Sequence, residues 1–124
     1  LAAKGVQGQL VERVIECLIK ERLQSDERYT ELYIRLRSDK GYGPVRIKAE
    51  LRERGIDDCL ISAQFRQVEA EAEIDWFALA SEVYRKKYGN RPIEELKEQA
   101  RRMRFLQYRG FSHEQIAAAI EHKQ

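Results

Sequence analysis

The chain has 124 residues, 43% of them apolar and 35% charged, with a net charge of +2. That length fits one compact domain or a row of small units, and so high a charged fraction calls for a large wetted surface around a thin core. No apolar run approaches the ~18 residues of a membrane span, nothing resembles a signal peptide, and a net charge this small does not by itself argue for nucleic acid.

In chain order the apolar period is helical almost throughout. Leu10, Val11, Val14, Ile15 and Leu18 form a first stripe, and Tyr29, Leu32, Tyr33 and Leu36 a second. Ile47 and Leu51 anchor a short third helix, and Leu60, Ile61, Phe65 and Val68 mark a fourth. Trp76, Leu79, Ala80, Val83 and Tyr84 mark a fifth, with Trp76 read as core. Ile93, Leu96, Ala100, Met103 and Leu106 mark a sixth, and Ile116, Ala119 and Ile120 a seventh. No stretch alternates as a strand requires. Pro44 and Pro92 suit the first turn of a helix, where a missing N–H costs nothing. Ser112 with Gln115 reads as a capping box. Gly5, Gly41, Gly55, Gly89 and Gly110 each fall just after a helical stretch, where a left-handed residue stops a helix.

The chain repeats itself. "LAAKGV" (1–6), "LRERGI" (51–56) and "LQYRGF" (106–111) share Leu-x-x-x-Gly followed by an apolar residue, and "RIKAELRERG" (46–55) lines up with "RRMRFLQYRG" (101–110). Each unit is read as three helices. A unit of about 50 residues barely buries its own core, so neighbouring units must lean on one another. The fold expected is all-α, an elongated and curved array of tandem three-helix repeats. Residues 1–22 are the last part of a first, truncated repeat, 23–70 the middle repeat and 71–124 the C-terminal repeat. The chain opens on Leu1 rather than Met, and both ends read as clipped.

Charge is banded. Residues 28–54 carry eight basic side chains against four acidic, residues 57–82 carry seven acids and one Arg, and residues 85–109 carry nine basic against three acidic. Such bands suit a chain that meets a charged partner with particular faces, although a solvated surface has the same composition. Lys48 and Arg52 are four apart on the third helix, beside Arg46. Lys97, Arg101 and Arg104 share a face of the sixth, with Arg102 next to it. Two such helices one unit apart would present parallel positive ridges to an acidic groove or to phosphates. Tyr42, just outside a helix, is expected to be exposed and is a candidate anchor, since Tyr and Arg are enriched in binding hot spots.

Enzyme chemistry is missing from the sequence. There is no GxxxxGK[ST], and "GYG" (41–43) follows a helix rather than a strand. It reads as a helix stop followed by a helix start; the other reading is that the N–H groups behind Pro44 receive a phosphate, helped by Arg46 and Lys48. Cys17 and Cys59 have no metal-ligand spacing and pair with neither His113 nor His122, so both are read as reduced thiols in or near a core. Glu69, Glu71 and Glu73 are read as a solvated acidic surface. No cofactor, metal or catalytic residue is expected, and the setting expected is cytoplasmic.

"SDERY" (25–29), "GYGPVRIKAELRERGI" (41–56), "DW" with "LA" (75–80), "KKYG" (86–89) and "LQYRGF" (106–111) together resemble the RecX regulatory proteins of bacteria, in order and over nearly the whole chain. The resemblance implies tandem three-helix repeats. It also implies a non-enzymatic regulator that lies in the groove of the RecA–DNA filament and inhibits the recombinase, ATPase and coprotease activities of RecA. Gly41, Tyr42, Gly43, Arg46, Ile47, Leu51 and Gly55 match the family block; Tyr42 and Arg46 are the ones expected to face a partner. The partner-binding candidates are thus Tyr42, Arg46, Lys48, Arg52, Lys97, Arg101, Arg102 and Arg104, on a chain expected to be a monomer. The alternative is a helical protein that binds single- or double-stranded DNA directly.

Overall fold

The computed structural model describes the backbone of residues 2–121 and the side chains of residues 8–121. The described residues form six helices, α1 (Ala2–Asp39), α2 (Pro44–Glu53), α3 (Asp58–Ala70), α4 (Trp76–Tyr88), α5 (Leu96–Arg109) and α6 (His113–Glu121). The described residues contain no strand. The first two apolar stripes lie on one helix, not two. The polar stretch Gln24–Arg28 interrupts the stripe but holds no Gly or Pro, so nothing breaks the backbone. Gly5 lies inside α1 rather than after a helix; a single interior Gly costs about 1 kcal/mol relative to Ala and does not by itself end a long helix. At 1.5 Å per residue α1 is about 57 Å long.

Two cores form, each from three helices. The first gathers Ile34 of α1, Ile47 and Leu51 of α2, Ile56, and Ile61, Phe65 and Val68 of α3, and is closed by Trp76. Phe65 and Trp76 stack with centroids 5.7 Å apart. The second gathers Ala80, Val83 and Tyr84 of α4, Leu106 of α5, Phe111, and Ile116, Ala119 and Ile120 of α6. Leu79 packs against both. The accessible surface is 9172 Å², against about 6900 Å² for a compact monomer of this mass, as two small cores and a projecting helix require. The first stripe has no cover: Leu10, Val11, Val14, Ile15 and Leu18 are each about half exposed.

Helix ends follow the sequence in most places. Pro44 is the first residue of α2. The Asp57 carboxylate accepts from the Cys59 N–H and that of Asp75 from the Ala78 N–H. Ser112 and Gln115 bond reciprocally, Gln115 Oε1 accepting from the Ser112 N–H at 2.9 Å and Ser112 Oγ from the Gln115 N–H at 3.2 Å. Pro92 departs from the expectation: it precedes α5 by four residues. The loop there delivers Ile93 to the second core and turns the Arg91 carbonyl toward Arg102 Nη1, 2.9 Å away, so residues 91–95 are not helical. Both cysteines are free and exposed rather than in a core, Cys59 on the solvent side of α3 and Cys17 on the uncovered half of α1. His122 lies outside the described residues.

Candidate partner-binding surface

The two three-helix units meet where α5 ends and α2 begins. Three successive carbonyls at the end of α5 accept hydrogen bonds from the start of α2. The Tyr108 carbonyl accepts from Arg46 Nη1 at 3.1 Å, the Arg109 carbonyl from the Gly43 N–H at 2.8 Å and the Gly110 carbonyl from the Val45 N–H at 2.9 Å. Orphan acceptors of one helix end therefore satisfy orphan donors of the other, and the partially negative C-terminus faces the partially positive N-terminus. These N–H groups are occupied from within the chain, so the phosphate reading of "GYG" fails. The end of one basic helix, α5, thus meets the start of the other, α2.

Tyr42 sits in this junction, half-buried rather than exposed. The guanidinium carbons of Arg37, Arg46 and Arg109 lie 3.9, 4.6 and 5.1 Å from its ring centre. Stacked cations gain from the ring's negative face, by about 0.5–2 kcal/mol each depending on desolvation. One carboxylate pairs with two of them, Arg37 and Arg46. Glu50 accepts from Arg37 Nε and Nη2 at 3.1 and 3.0 Å, from Arg46 Nε at 3.2 Å and from the Tyr33 hydroxyl at 2.8 Å. Burial pushes the Glu50 carboxyl up, but the hydrogen bonds from Tyr33, Arg37 and Arg46 outweigh it and hold the group below its ordinary range. Arg46 is thereby half-buried and committed on several sides. Lys48 is half-buried over the Phe65 ring at 4.8 Å. Arg52 is exposed and paired with Asp58 at 2.7 Å.

On α5 the expectation for one residue is overturned. Arg102 does not face a partner: its side chain is 2% exposed. It donates from Nη1 to the Tyr84 hydroxyl at 2.7 Å and to the Arg91 carbonyl, and from Nε to Glu98 at 3.0 Å. Its guanidinium also stacks near Tyr88, 4.7 Å from the ring centre. Burial lowers the Arg102 pKa, but the bonds to Tyr84 and Glu98 more than offset this, so the charge is kept. The sequence held the signal. The register that aligns 46–55 with 101–110 sets Arg102 opposite Ile47, and both are buried.

Lys97, Arg101 and Arg104 are exposed, as their shared face predicts. Arg101 alone of them is in an ion pair among the described residues, with Glu98 at 3.2 Å. The face continues into Tyr108, 76% exposed, whose ring lies 5.1 Å from the Arg46 guanidinium. Met103 and Leu96 flank it and are also exposed. Tyr108 and Arg109 were absent from the sequence candidates; their places, one turn beyond Arg104 and about two turns beyond Arg101, could have signalled them. The outcome is a cationic and aromatic stripe along α5 that ends at the junction.

Among the described residues no cluster of His, Cys, Asp and Glu is placed to hold a metal ion, and no helix is long and apolar enough to cross a membrane. An all-α chain of tandem three-helix units with a cationic, aromatic outer face has the build of a binding protein. The comparisons define it further. The family model described as the second three-helix domain of RecX matches residues 25–63, and that of the third three-helix domain matches residues 73–120. The regulatory protein RecX of Pseudomonas entomophila is 40% identical over 120 residues, which span 97% of this chain and 75% of the relative. Those of Halorhodospira halophila and Vibrio vulnificus are 39% and 38% identical, over 96% and 97% of this chain and 71% and 76% of the relatives. The chain belongs to the RecX family of regulatory proteins.

Proposed function

We propose that the chain is a non-enzymatic regulator that binds the filament of the RecA recombinase in its helical groove and inhibits its recombinase, ATPase and coprotease activities. Family membership carries this reading. The build of the molecule supports it: two small units held end to end form an extended body that can touch more than one recombinase subunit. Such a ligand acts by favouring the filament state it fits best. Residues 1–22 belong on this reading to the end of a first repeat, with 23–70 and 71–124 as the middle and C-terminal repeats.

The contact surface we assign is the α5 stripe, Lys97, Arg101 and Arg104, together with the Tyr42, Arg46, Lys48 and Arg52 side of α2. The exposure of the α5 cations and of Tyr108 favours these over the buried Arg102. The same exposure gives the second reading, direct binding to DNA, its one support, because cations track phosphates and an exposed ring stacks on bases. Fluorescence anisotropy separates the two. Labelled single- and double-stranded DNA are titrated with the protein at two salt concentrations, and labelled protein is titrated with preformed recombinase filament. Filament binding that exceeds DNA binding supports the regulator. Tight, salt-steep binding to bare DNA with no gain from the recombinase would establish the second reading instead.

A further inference from the structure

The two glycines of Gly41-Tyr42-Gly43 have no role in the functional reading above, and they share an unusual surrounding. A Cβ on Gly43 would lie 2.5 Å from the Gly110 carbonyl oxygen and 2.7 Å from the Phe111 nitrogen. A Cβ on Gly110 would lie 2.2 Å from Arg46 Cβ and 2.7 Å from its nitrogen. A Cβ on Gly41 would press on Val83 and Arg109, each at 3.1 Å. All three approaches cross from one three-helix unit to the other. Gly43 has φ −87°, which any residue adopts, so turn geometry does not require glycine there. Close approach does.

We propose that Gly41, Gly43 and Gly110 form a clasp that locks the two units into one rigid body and so fixes the spacing between the α2 and α5 faces. Only with the two backbones in contact can the Arg109 and Gly110 carbonyls reach the α2 N–H groups. The Arg109 guanidinium closes the other side, donating to the Lys40 carbonyl at 3.1 Å while lying over Tyr42. The repeat contains its own control. Gly55 occupies the place equivalent to Gly110 and has a similar φ of +82°, yet a Cβ there would meet nothing within 4 Å. Gly55 ends a helix; Gly110 ends a helix and docks it. Gly43 and Gly110 are positioning residues on this account, touching no partner themselves.

The test is a distance measurement between spin labels in the full chain. With Cys17→Ser in the background, labels go on Cys59 of α3 and on His113→Cys of α6, both exposed positions. The parent should give one narrow distance distribution. Gly43→Ala should shift or broaden it several-fold while the helical circular dichroism is kept, because the clash lies between units and each core is intact. Gly55→Ala should leave the distribution as in the parent. An unchanged, narrow distribution in Gly43→Ala would overturn the clasp. Should Gly43→Ala not fold, Arg109→Ala removes the bridge to Lys40 without adding atoms and should broaden the same distribution; a parent-like width there would overturn the clasp equally. Because no recombinase enters this measurement, its failure is distinct from failure of the regulatory reading.

Discussion

Replacing Arg102 by Ala tests how the second core is held. The side chain is buried at 2% exposure and serves three partners: Glu98, the Tyr84 hydroxyl and the Arg91 carbonyl. Removing one member of a buried pair costs about 3–5 kcal/mol, largely because the other charge is stranded. Glu98 keeps 29% of its side chain in water, so its stranded charge is partly hydrated and the low end applies. The Arg91 carbonyl also loses its donor, but Arg91 is exposed, so water can take the donor's place at little further cost. A total near 3 kcal/mol is expected, which for a chain of this size lowers Tm by about 10 °C. Urea unfolding followed by circular dichroism measures it. Arg102→Lys should recover only part of the loss, since an ammonium cannot reach three partners with the planar fork of a guanidinium. A loss under about 1 kcal/mol, with weakened partner binding, would refute the structural role and return Arg102 to the binding surface.

Three further outcomes follow from the same geometry. Charge reversal of Lys97, Arg101 and Arg104 together should weaken filament binding at least ten-fold while leaving the unfolding midpoint nearly unchanged; equal binding by the variant, measured by anisotropy, would remove the α5 stripe from the interface. Glu50 has a lowered pKa in the folded chain, so its contribution is present above the ordinary carboxylate pKa and fades as pH falls through the lower folded value. Glu50→Gln should therefore flatten the acid limb of stability, and urea midpoints from neutral pH down into that range that stay parallel for the two proteins would contradict it. Ser112→Ala breaks the capping box of α6 and should cost about 1 kcal/mol, read as a lower urea midpoint.

Much of this architecture is written in the sequence, and the exceptions have physical causes. Periodicity located the elements because each helix buries one stripe, as Ile61, Phe65 and Val68 of α3 do. It split α1 in two because polar residues at Gln24–Arg28 carry no stripe, although they make a sound helix. Lys97, Arg101 and Arg104 were legible since exposure follows the helical period. Arg102 was legible in position, through its register with Ile47, but not in role, because its partners come from α4, the 91–95 loop and α5. Tyr42 was misplaced for a similar reason: Arg109, which helps to cover it, comes from the other unit. The close approach of Gly43 to Gly110 joins residues far apart in the chain, and local spacing holds no trace of it.

The central claim is regulation of the recombinase by direct binding, and a titration of DNA-dependent recombinase ATPase activity tests it most directly. Preformed filament on single-stranded DNA is incubated with increasing amounts of this protein at fixed salt, and ATP turnover is followed. Turnover should fall at or below one protein per recombinase, and the Lys97, Arg101 and Arg104 reversal variant should need at least ten times more protein for the same effect. Unchanged turnover with the parent protein in stoichiometric amount would contradict the account.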